Sequence, residues 1–195
     1  TLGFNIAGAL SAFLIASLTG IIISFIPLKN FLSFKVVEDS INFKDFFSYL
    51  APVGLSFFCF IALVNFDMVL VKYLFSPLEA GFYSLAQMLG KIFLFLPGAI
   101  SIVMFPKAAG LKAKNMDTDS ILRRSLLYAC SLCIIANLVY NLFPNFVLKI
   151  LTGKVFAETV VLGRLFGISM SFFTLLLILI TYFLSIKDMR FMKYL

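Results

Sequence analysis

Five separate stretches of this chain are each long and apolar enough to cross a bilayer, and no other feature limits its possible folds as tightly. A helix needs about 20 mostly apolar residues to traverse the hydrocarbon core at a rise of about 1.5 Å per residue. The stretches run roughly over residues 3–28, 46–75, 79–105, 121–143 and 157–186. Inside lipid each segment must satisfy its own backbone polar groups, so all five are read as helices. The expected fold class is an all-α integral membrane protein with five transmembrane helices. Composition points the same way, at 62% hydrophobic and 13% charged residues against roughly 45–50% and 25% in a soluble domain. The first run is too long for the core of a signal peptide, about 7–15 residues, and it lacks a basic leader.

What is missing narrows the chemistry. The chain has no His and nine acidic residues, which removes the commonest general base and metal ligand and leaves few carboxylate pairs. It has no glycine-rich phosphate loop, nucleotide fingerprint or zinc-ligand spacing. Cys130 and Cys133 form a C-x-x-C pattern, but they stand mid-span with no second pair and no His, so they are read as small packing residues, as is Cys59. The expectation is a protein with no cofactor, no metal site and no enzymatic activity. The first stretch is rich in Gly, Ala and Ser, which let helix backbones approach closely. Because the chain opens at Thr1 already inside that apolar run, it is expected to be part of a longer bundle.

The net charge of +7 has to be read by position. Lys29, Lys35 and Lys44 lie between the first two spans. Lys107, Lys112, Lys114, Arg123 and Arg124 lie between the third and fourth, and Lys187, Arg190 and Lys193 follow the fifth. The other set of connections carries only Lys72, Lys149 and Lys154. Five alternating spans put the three rich groups on one side, the cytoplasmic one by the positive-inside rule. The charge is therefore topological and implies no nucleic acid. The connections 29–45 and 144–156 mix polar and apolar residues, and the first reads as a partly amphipathic surface segment.

Ionisable groups inside spans are costly unless paired or hydrated, and they mark sites by default. Asp67 lies in the second span and Lys91 in the third. Counted from the turn near 76–78, they sit about 15 Å and about 20 Å deep, a difference that a lysine side chain covers. Gln87, one turn from Lys91, and Asn65 add polar groups. The four are read as a cluster facing the bundle interior or a water-filled cavity, where they meet a substrate or a coupling ion. The plainer alternative is an ion pair that only holds the two helices together. Lys72 and Arg164 lie nearer the ends of their spans and can snorkel to the interface, although either could meet an anionic group in a cavity open to that side. Pro97 with Gly98 reads as a kink, either static or a hinge, and Pro106 is expected to end the third span.

The stretch Asn65-Phe-Asp-Met-Val-Leu-Val-Lys-Tyr-Leu-Phe-Ser-Pro-Leu-Glu-Ala-Gly-Phe-Tyr-Ser-Leu-Ala-Gln87, with Lys91 to Lys107 after it, resembles the polysaccharide biosynthesis and O-antigen or teichoic-acid export flippases. These belong to the superfamily that includes multidrug extruders. The similar features are the Asp in an apolar helix, the Ser-Pro-x-Glu-Ala-Gly-x-Tyr turn, a cation four residues after a Gln, and a close on Phe-Pro-Lys. The resemblance covers about 45 residues; elsewhere only spacing and hydropathy match. It implies a two-lobe bundle of about 12–14 helices. Residues 1–28 would then be the last helix of the first lobe, 29–45 the cytoplasmic link between lobes, and 46–195 the first four helices of the second.

The function that this implies is alternating-access transport of undecaprenyl-pyrophosphate-linked oligosaccharide across the cytoplasmic membrane for surface polysaccharide synthesis. Expected partners are the lipid-linked oligosaccharide, membrane lipids, and the glycan polymerase and glycosyltransferases of the same process. Asp67 and Lys91 carry over as cavity residues, and Lys91 with Arg164 or Lys72 would supply positive charge to a pyrophosphate. Three alternatives stand beside this reading: a multidrug or cation antiporter of the same superfamily; a membrane-embedded glycosyl polymerase or ligase, which would need a larger external loop; and a non-transporting packing subunit in which Asp67 and Lys91 are a structural pair.

Overall fold

Ser76-Pro-Leu-Glu79 is a helix start written into the sequence. The Ser76 hydroxyl accepts the Glu79 N–H at 3.4 Å, and the Glu79 carboxylate accepts the Ser76 N–H at 3.0 Å, a capping box with Pro77 in the first helical position. The computed structural model describes residues 5–32 and 43–188. They form six helices: α1 (Asn5–Leu32), α2 (Phe43–Leu74), α3 (Pro77–Ala113), α4 (Asp119–Leu142), α5 (Pro144–Thr152) and α6 (Ala157–Ser185). There is no strand among the described residues. All but α5 are long and apolar enough to cross a membrane, and the chain is a multi-pass membrane protein.

The expected spans need three corrections. The third does not stop at Pro106: α3 continues to Ala113 and ends where Asn115 turns to a φ of 55°. A proline removes one amide donor and bends a helix without necessarily ending it, and the residues after Pro106, Lys107 to Ala113, are good helix formers apart from Gly110. The link expected over 29–45 is shorter, because residues 29–32 continue α1 past Pro27 and 43–45 open α2. Its remainder, with the proposed surface segment and Lys35, lies outside the described residues, as do Arg190 and Lys193. The connection 144–156 contains a helix of its own, α5, which is too short to register as a span.

The chain divides into two units, Thr1–Asn42 and Phe43–Leu195. In the first, α1 satisfies its hydroxyls on its own carbonyls. Ser17 donates to Phe13 at 2.9 Å, Thr19 to Ile15 at 2.9 Å and Ser24 to Gly20 at 2.8 Å, so polar side chains cost little in lipid.

In the second unit α3 and α6 are the central pair and run parallel, with α4 antiparallel against both and α2 along one side. Gly90 lets α6 come close: a Cβ there would lie 3.0 Å from the Cβ of Phe166 and 3.1 Å from Met170. On α6, Gly163 and Gly167 form a small-x-x-x-small step that receives α4. A Cβ at Gly163 would overlap the Tyr140 ring, and one at Gly167 would press on Asn137 Oδ1 at 2.6 Å. One apolar cluster gathers Phe60, Leu89, Phe93, Tyr140, Phe166 and Met170, and a second gathers Met104, Ala108, Ala129, Ile178 and Tyr182. At the second cluster the Tyr182 hydroxyl meets Thr118 at 2.8 Å and donates to Asp119 at 3.2 Å, fixing the α3–α4 turn to the end of α6.

Candidate polar site between the second and third helices

Tyr83, Gln87 and Lys91 follow one another at four-residue steps along α3. Each step drifts about 40° around a helix, so the row swings by about 80° from its first member to its last. Gln87 sits at the seam with α2 and is buried, at 5% exposure. On α2, Asn65 and Asp67 are two residues apart and so point about 200° from each other.

These angles sort the polar groups into two sets. Asp67 receives Gln87 Nε2 on Oδ1 at 2.9 Å and the Tyr83 hydroxyl on Oδ2 at 2.8 Å, and the Met68 N–H also reaches Oδ1 at 2.8 Å. Gln87 Nε2 lies 3.4 Å from the Val64 carbonyl as well. Lys91 Nζ donates instead to Asn65 Oδ1 at 3.1 Å, while Asn65 Nδ2 donates to the Ile61 carbonyl at 2.8 Å. Among the described residues no ion pair joins Lys91 to Asp67. The expected acid-to-amine contact is replaced by two contacts through amides. Depth along the helix axes was compatible with a pair; direction around them was not.

Asp67 faces a groove of about 350 Å³ toward α6, lined with Tyr83, Leu63, Leu162, Phe166 and Ser169 among others, to which Lys91 and Asn65 do not contribute. The Asp67 carboxyl group is therefore held by neutral donors, and the Lys91 amine by an amide oxygen. Glu79 and Glu158 line the adjoining groove, which shares Tyr83 and Leu162 with the first.

Lys72 and Arg164 are exposed and lie outside this network. Lys72 stands in the last turn of α2, and Arg164 lies about 10 Å into α6 at the standard rise. Pro97 and Gly98 are buried, and α3 runs unbroken through them. Pro97 deprives the Phe93 carbonyl of its helical donor, and Thr174 of α6 supplies one, its Oγ1 lying 3.1 Å away. The three cysteines are free thiols. No group of three or more metal-ligating side chains occurs among the described residues.

Tyr83 is the participant that reading the residues missed. Its signal was the four-residue step to Gln87, which puts hydroxyl and amide on one stripe. Thr174 carries no such local signal, because its role emerges only once α6 lies against Pro97. Comparison with protein-family models, with curated proteins and with solved structures finds no match for this chain. The resemblance drawn from residues 65–107 thus rests on those residues alone.

Proposed function

We propose that the chain is part of a transporter that moves undecaprenyl-pyrophosphate-linked oligosaccharide across the cytoplasmic membrane by alternating access. No covalent chemistry is involved. The observation that carries this reading is the state of Lys91, a half-buried cation well inside a span, held by an amide rather than neutralised by an acid. Uncompensated charge at such depth is expensive, and a pyrophosphate arriving from the membrane surface would supply the missing counter-charge. Asp67, tied to Gln87 and Tyr83, leaves that charge free. A prenyl tail can remain in lipid while the head group passes. In this reading the cationic connections face the cytoplasm, and Pro97 with Gly98 provides the bend about which the helices move.

The test is Lys91→Ala and Lys91→Arg in cells that depend on the protein for surface polysaccharide. Alanine should abolish export with normal protein in the membrane, and arginine should retain part of it. Normal export in the alanine variant refutes the assignment.

One observation favours the cation antiporter as a second reading. The connected grooves beside α6 expose Asp67, Glu79 and Glu158 and no Lys or Arg, a setting that suits a cationic amphiphile better than a phosphate. Loss of drug resistance in Asp67→Asn together with intact polysaccharide export would select it.

A further inference from the structure

The connection between α4 and α6 is built tightly. Phe143 alone separates α4 from α5, Pro144 occupies the first position of α5, and Gly153 ends it with a φ of 71° and an N–H bonded to the Lys149 carbonyl at 3.0 Å. Thr152 donates within the same turn, lying 2.9 Å from the Leu148 carbonyl and 2.6 Å from that of Lys154. The short helix is thereby held at the level where two spans end.

Its faces differ in kind. Leu148 is completely buried and Val147 packs beside the core. Phe146 and Ile150, one turn apart on another side, are 65% and 67% exposed, and Phe143 is 60% exposed. Lys149 of α5 and Lys154 just past its end are exposed, and the acid nearest to them in sequence is Glu158, in the first turn of α6. A helix in water gains nothing by presenting Phe146 and Ile150, and a helix deep in lipid would not carry Lys149 and Asn145. The boundary between head groups and acyl chains satisfies both faces at once.

We propose that α5 is a membrane-interface helix that holds anionic phospholipid, with Lys149 and Lys154 on the head-group phosphate and Phe146 and Ile150 in the upper acyl region. The charge pattern selects the class of lipid: Lys149 and Lys154 outnumber the one nearby acid, Glu158, so the connection carries a net positive charge and prefers a net negative head group to a zwitterionic one. This surface stands apart from the polar network between α2 and α3, and the inference does not depend on the transport reading.

The chain contains no Trp, so Phe146→Trp creates a single indole fluorophore at an exposed position. The full chain would be reconstituted in phosphatidylcholine vesicles containing phosphatidylglycerol, with bromines placed near the head group or near the chain ends of either lipid. Phe172→Trp, exposed in mid-span on α6, gives the deep reference. Shallow bromines should quench the indole of the Phe146→Trp protein more than deep ones, with the reverse order in the Phe172→Trp protein. Brominated phosphatidylglycerol should be favoured over brominated phosphatidylcholine by about fivefold per lysine at most. Adding Lys149→Gln and Lys154→Gln together should bring the two lipids to parity. If no brominated lipid quenches the Phe146→Trp protein, the proposal is overturned, because water or another protein segment then covers the face. Equal quenching by both lipid classes in the lysine-bearing protein overturns it as well.

Discussion

The hydroxyl of Thr174 bonds across the α3–α6 interface to the carbonyl of Phe93, the acceptor that Pro97 leaves without a helical donor. Thr174 is fully buried, and its Oγ1 also lies 2.9 Å from the Met170 carbonyl in its own helix. One hydroxyl proton is thus shared between the Met170 carbonyl, which keeps it within α6, and the α3 carbonyls of Phe93 and, at 3.5 Å, Leu94, which tie α6 to the bend in α3.

Replacing Thr174 with Val should cost about 1–2 kcal/mol, the range for a buried carbonyl left without its donor inside a membrane protein. Thr174→Ser should be close to neutral. In a Pro97→Ala background the new amide takes the Phe93 carbonyl, and the effect of Thr174→Val should largely vanish. Thermal unfolding of the four proteins in detergent measures this coupling, and equal losses in both backgrounds would remove the assigned partnership.

Gly163→Ala and Gly167→Ala should each destabilise by about 1–3 kcal/mol, because the added methyl meets Tyr140 or Asn137 in a packed seam. Gly54→Ala and Gly81→Ala, with nothing within 4 Å of the new methyl, should be neutral or slightly stabilising. Unfolding midpoints of the four variants, compared in one detergent, decide the matter.

Gln87→Leu should disturb Asp67 and leave Lys91 alone. The leucine removes a donor from the carboxyl group, and the expected coupling between Gln87→Leu and Asp67→Asn is about 0.5–3 kcal/mol, the span from neutral to charged hydrogen bonds. Between Gln87→Leu and Lys91→Met it should be near zero. A double-mutant cycle with comparable values for both pairs would contradict the division of the polar groups into two sets.

Tyr182→Phe should release the α3–α4 turn. The hydroxyl contacts Thr118 and Asp119, so amide exchange over residues 114–119 should accelerate while α3 and α6 stay protected. The global cost should be about 0.5–1.5 kcal/mol, and unchanged exchange in that turn would show the contact to be idle.

The five spans were legible because length and hydropathy alone decide whether a segment can live in lipid. Their ends were less so. Pro106 carried a stop signal that α3 overrides, and α5 is shorter than any window that detects a span. Asn65, Asp67, Gln87 and Lys91 were legible as polar groups that need partners inside apolar helices, but the single cluster expected of them divides in two. Their pairing was not legible, because counting depth along the axis ignores the half-turn that separates Asn65 from Asp67. Thr174 could not be singled out at all: a threonine in an apolar helix reads like any other until a neighbouring proline supplies the unfilled acceptor.

The contact between Lys91 and Asn65 sets how reversibly an anion could be held there. A ligand arriving at the amine would displace a neutral oxygen and would not first have to pull apart opposite charges. On departure it would leave behind a group with a substitute partner already at hand. The Asn65 oxygen offsets part of the cost of the empty state, so an anion would be held less tightly there than by a bare amine, which favours repeated turnover over trapping.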